Sequence, residues 1–133
     1  MKRVLLIACL LCSIFTLRIH AQHTDTRIAE VYGDSLQPLM QRDPERFIHI
    51  EKLLFQRIEL KKLPLSADEK FPRLSDAPLF TLYNPHLQRD HVFDPGSFNP
   101  LKYNLEFFAP TDKVYRVDNT DYIIFIKGQN QSR

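Results

Sequence analysis

The chain has 133 residues, with 18 basic against 16 acidic side chains, nine prolines, three glycines, two cysteines and no tryptophan. That balance excludes a strongly basic face able to neutralise a row of phosphates, and with it nucleic acid as a natural partner. Gly33, Gly96 and Gly128 are too few and too scattered to cradle a phosphate, and no G-x-S-x-G elbow presents a serine nucleophile.

The N-terminus reads as a cleavable signal peptide over residues 1–21. Lys2 and Arg3 form a positive start, Val4 to Leu17 is an apolar run of 14 residues, and "RIHA" ends in the small Ala21. The apolar run is shorter than the roughly 20 residues a spanning helix needs, so no stable transmembrane segment is expected once the signal is removed. Cleavage after Ala21 leaves 112 residues, 22–133, read as a single domain with 15 basic and 16 acidic side chains. Cys9 and Cys12 both leave with the signal. The mature domain therefore has no disulfide, no thiol chemistry and no cysteine-based metal site, and it must rest on its core alone.

In the mature chain, Ile28, Val31, Tyr32, Leu36 and Leu39 recur at three- and four-residue steps, which predicts an amphipathic helix. Thr24, Asp25 or Thr26 caps it, and Gly33 and Pro38 predict a kink or a stop near Gln37. A second helix opens at "DPERF", with Asp43 as cap, Pro44 in the first helical position and Glu45 at the positive end of the dipole. Its buried stripe is Phe47, Ile50 and Leu54 together with Phe55.

The period then changes to two. Ile58 and Leu60 alternate with Arg57, Glu59 and Lys61, the pattern of a half-exposed strand that Pro64 ends. At a sheet edge this strand is open to a partner strand, but its lysines are read as protection against such pairing. Seven of the nine prolines fall between 64 and 110, in a stretch with no sustained periodicity. Its apolar content is too high to leave in water, so it is expected to pack across the domain. "NLEFF" predicts a short strand, and "KVYRV" and "YIIFIK" a hairpin closed by "DNTD". Pairing Val117 with Tyr122 puts Tyr115 opposite Ile124 and gathers Tyr115, Val117, Tyr122, Ile124 and Ile126 on one face, expected to pack on the helices. The last strand is apolar on both faces, as a central or well-covered strand is. The fold class is therefore α+β: two N-terminal helices on a small, three- to four-stranded, mostly antiparallel sheet, with a long proline-rich packed loop.

The order "YGDSL…DPERF…LLFQRIEL…EKFPRLSD…FNPLKYN…VYRVDNTDYIIFI" resembles a family of small exported proteins of Bacteroidota-type bacteria, from about Val31 to Ile126. The insert "APLFTLYNPHLQRDHV" departs from that pattern. The resemblance implies export and an Ala21–Gln22 signal junction, and brings no catalytic residues.

Two constellations are candidates for a site. Phe80, Tyr83, Phe93, Phe98 and Tyr103 offer rigid rings for recognition, although Phe98 and Tyr103, set between the turns Asp94–Ser97 and Asn99–Lys102, also suit a plug for the core. His86, Asp90, His91 and Asp94 have the ligand types for a divalent metal, but their spacing and the flanking Pro85 and Pro95 do not suit a helical metal motif. The favoured reading is a non-enzymatic periplasmic or envelope-associated domain with a protein partner and no cofactor. The alternatives are a small metal-dependent hydrolase on residues 86–94, and a carbohydrate or peptidoglycan binder using Tyr83 and Phe93.

Overall fold

A computed structural model of the chain describes residues 24–65 and 70–131. The segment read as a signal peptide lies outside them. Among the described residues no helix is long and apolar enough to cross a membrane. The architecture is α+β, with short helices followed by a three-stranded antiparallel sheet.

Helix α1, Thr26–Tyr32, starts on Asp25, whose carboxylate accepts from the Arg27 backbone N–H at 2.8 Å and binds the Arg27 guanidinium. It stops at Gly33, where φ is +50° and ψ is −136°, a region that a Cβ disfavours. The break falls at Gly33, before the position expected from Pro38. After a 3₁₀ turn the chain resumes as α2, Leu36–Arg42. Pro38 sits in its first turn, where a missing N–H costs the helix little. Helix α3, Pro44–Lys52, is capped by Asp43, which accepts from Arg46 N–H at 3.2 Å, with Pro44 at its start as the sequence predicts.

Helix α3 widens into a π turn over Leu53–Arg57 and passes directly into strand β1, Ile58–Lys62, with no loop. The wider turn keeps Leu53 and Leu54 buried and swings Phe55 outward, so Phe55 is 64% exposed and does not join the buried stripe. Strand β2 is Lys113–Arg116 and β3 is Tyr122–Ile126, and the sheet order is β1-β3-β2. The doubly apolar β3 is the central strand, and Tyr115 lies opposite Ile124 as the hairpin pattern predicts. Val117 N–H donates to Tyr122 C=O at 3.0 Å across the turn, where Asn119 takes φ +56°.

Two details differ from expectation. "NLEFF" is not a strand: only Tyr103 bridges to Leu79, and Phe107 and Phe108 form a turn. The predicted inner face of the hairpin is buried apart from the half-buried Tyr122, but it packs chiefly under the proline-rich segment. Tyr115, Val117, Ile124 and Ile126 share a core with Leu74, Phe98, Tyr103 and Leu105. The helices build a second core around Ile28, Tyr32, Phe47 and Leu53, into which Leu101 reaches. Ile58 and Phe107 touch both. The segment is thus a structural layer. Phe80 N–H bonds Lys102 C=O, Asn104 N–H bonds Pro78 C=O, and Arg116 N–H bonds Pro72 C=O, each at 2.8 Å.

A polar core and a groove beside helix α3

The turn at Asp94–Ser97 is held by Asp94, whose carboxylate accepts from Gly96 N–H at 3.0 Å and Ser97 Oγ at 2.7 Å. The Ser97 hydroxyl, with the Gly96 N–H, holds that carboxyl below its usual range. Asn99, 2% exposed, then does three things at once. Its amide donates to Arg27 C=O at 2.9 Å and to Glu30 Oε2 at 2.8 Å, while its Oδ1 accepts from Leu101 N–H at 3.1 Å. It ties the loop to α1 and starts the 3₁₀ turn Pro100–Lys102.

Lys102 is buried, and its Nζ lies 2.6 Å from Asp90 Oδ1 and 3.4 Å from Glu30 Oε1. Burial opposes its charge, but the bond and charge of Asp90, with Glu30 behind, outweigh burial and hold the ammonium above its ordinary value. Tyr103 O–H donates to Asp90 Oδ2 at 3.3 Å, and burial raises its phenol. Arg89 lies over the Tyr103 ring and donates to the carbonyls of Leu74 and Ala77. Among the described residues no buried side-chain polar atom lacks a partner. Such a closed network specifies one packing of the loop.

This network sets a pH dependence. Lys102, Tyr103 and Tyr32 all have folded pKa values above their unfolded ones. Their contribution is complete below the unfolded values, near pH 10, and is lost as pH rises through the folded values. Urea midpoints taken from pH 7 to 11 are expected to fall above about pH 10. Lys102→Met is expected to cost about 1–2 kcal/mol at neutral pH, between exposed and buried pairs, and to flatten the alkaline fall. A K102M curve parallel to the unmodified one defeats the assignment.

The metal-type residues take separate roles. Asp90 is paired with Lys102, Asp94 holds a turn, and His86 and His91 are exposed. Among the described residues no group of three or more His, Asp or Glu side chains is placed to hold an ion. The aromatic candidates divide between the two cores. Phe98 and Tyr103 are buried and stacked at 5.8 Å, with Phe93 half-buried against Phe98 and Tyr122. Tyr83 stacks on Tyr32 at 4.8 Å, with Phe80 edge-on and Arg46 over the Tyr83 ring. Phe80 and Tyr83 are half-buried, and none of the five rings stands free in solvent.

The surface feature that does stand open is a groove of about 1080 Å³ between α3 with its π turn and residues 101–108. Its floor is apolar, from Tyr32, Ile50, Leu53, Phe80, Leu101 and Phe107. One wall carries Asp43, Glu45, Arg46, His49, Lys52 and Arg57, and the rim opposite carries Asn104 and Phe108. The Arg57 guanidinium is occupied by the carbonyls of Phe107 and Lys127, and Arg46 by the rings of Tyr32 and Tyr83. His49 and Lys52 form the basic end of the wall, and Asp43 and Glu45 the acidic end. Phe108 is 65% exposed. Of the aromatic candidates, Phe80 and Tyr103 line this groove. The wall was missed because its residues read as the solvent face of a helix. The one signal for the rim was the doubled Phe of "EFF". The chain matches no protein-family model, no curated protein and no solved structure.

Proposed function

We propose that this is a non-enzymatic exported domain, periplasmic or envelope-associated, that binds another protein as an accessory or assembly subunit. The observation that carries the reading is the groove beside α3, an apolar floor between a charged helix wall and the exposed Phe108. Its occupant is an extended segment of a partner that seats an apolar side chain on the floor. A carboxylate of that segment lies against His49 and Lys52, and a basic group against Asp43 and Glu45. Deep apolar floors with polar rims concentrate binding energy in a few anchors. Export is supported by the tripartite N-terminal segment and by the resemblance to small exported Bacteroidota-type proteins.

The test is site-specific photo-crosslinking in the envelope of the cells that make the protein. A benzoylphenylalanine at position 108 is expected to trap one defined partner. The same probe at Val92, which is exposed but outside the groove, traps none. Equal labelling from both positions, or none from 108, removes the groove as the docking site.

A further inference from the structure

The second surface feature is the free edge of β1. Arg57 C=O accepts from Lys127 N–H at 2.8 Å, and Leu63 N–H donates to Asp121 C=O at 2.7 Å. In an antiparallel ladder bonded pairs alternate, so Glu59 and Lys61 also turn their backbone groups toward β3. Ile58, Leu60 and Lys62 turn theirs away from the sheet. Ile58 N–H is used by Leu53 C=O. Among the described residues, the N–H groups of Leu60 and Lys62 have no acceptor. The opposite edge is different, because residues 72 and 73 already run beside Arg116.

We infer that β1 pairs antiparallel with β1 of a second copy of this chain, centred on Leu60, to make a continuous six-stranded sheet. Charge selects this register. The outward-facing residues are Ile58, Leu60 and Lys62, so three central two-fold pairings satisfy the hydrogen-bonding alternation. Centring on Glu59 sets Glu59 against its own copy, and centring on Lys61 sets Lys61 against its own copy. Like charges directly opposite are unfavourable. Centring on Leu60 sets Glu59 opposite Lys61 of the other copy, twice, on the same sheet face. Lys61 is already held over that face, 3.9 Å from the Phe125 ring centre and 3.3 Å from Glu59. The lysine that protects the edge from other pairings thus completes this one.

On the other face Leu60 meets Leu60 and Ile58 meets Lys62 of the second copy, and Ile58 and Leu60 line a cleft of about 640 Å³ with Asp25, Arg27, Leu54, Ser97 and Phe98. Arg27 also caps the exposed ring of Phe55 at 5.3 Å. Pairing buries the open side of this cleft and the Leu60–Leu60 contact.

The test uses the chain as purified from its own cells, followed by sedimentation over a range of concentrations. The expected result is a reversible dimer. Glu59→Lys and Lys61→Glu are each expected to weaken it at least tenfold, with each monomer still unfolding cooperatively. Mixing E59K with K61E is expected to restore dimer, because each mixed pair is again of opposite charge. So is the double swap E59K/K61E in one chain. A chain that stays monomeric at every concentration overturns the inference. So does a dimer indifferent to both substitutions, or a mixture that fails to recover. The inference is independent of the groove, whose crosslinking test reads a different face.

Discussion

Gly128→Ala is expected to destabilise this chain strongly although it adds a single methyl group. Gly128 follows β3 where the chain passes against residues 109–112, with its N–H donating to Asp112 Oδ1 at 2.8 Å. Gln129 N–H donates to Ala109 C=O at 3.0 Å in the same crossing. A Cβ at Gly128 falls 2.7 Å from the Thr111 carbonyl carbon, 2.8 Å from Thr111 Cα, and closer still to the Pro110 carbonyl oxygen. These are backbone atoms, so no rotamer change relieves the clash. The two segments must separate, which breaks both hydrogen bonds and loosens the start of β2. The expected loss is about 3 kcal/mol, a large fraction of the stability of a small domain. The urea midpoint should drop at unchanged slope. Gly96→Ala is the control, because its Cβ meets only the Asp94 carboxylate at 3.5 and 3.8 Å, and it is expected to change stability by less than about 0.5 kcal/mol. A G128A protein as stable as G96A removes the close crossing.

Ile124→Ala is expected to cost about 4 kcal/mol. Ile124 is 0% exposed, lies in the central strand and is paired with Leu60 on one side and Tyr115 on the other. Truncation leaves a cavity between the sheet and the proline-rich layer, and the layer cannot collapse into it because Asn99 and Lys102 are pinned to α1 and Asp90. Ile124→Val is expected to cost about 1 kcal/mol. Ile48→Ala, at an exposed position of α3, should change little. Thermal or urea unfolding reads all three. Equal losses at 124 and 48 defeat the placement of the core.

Local chemistry made much of this fold legible. Asp43–Pro44 announces a helix start because a carboxylate and a fixed φ act on adjacent residues. The switch from Phe47–Ile50 spacing to the alternation at Ile58–Leu60 marks the strand for the same kind of reason. The hairpin register was legible because two apolar strands flank a turn with few allowed geometries. The two turns around Phe98 were legible from Asp94–Pro95–Gly96 and Asn99–Pro100. Phe55 and "NLEFF" were misread. The π turn that exposes Phe55 adds one residue per turn and carries no composition of its own. Tyr103–Phe107 is held by contacts with Leu79 and by Arg57 reaching Phe107, neither of which is near in sequence.

The candidate site was legible only in its materials. The rings of Phe80 and Tyr103 are legible as recognition residues, whereas the wall from Asp43 to Arg57 reads only as cap and solvated helix face. A charged helix face looks the same whether it meets water or bounds a groove. By itself the sequence determined what nearest neighbours decide: caps, turns and periodicity. Only the tertiary structure decided which apolar face met which layer, which carboxylates received Lys102, and which strand edge stayed open. Those outcomes depend on contacts between residues distant along the chain, where burial and charge act on pairs that no local pattern can name.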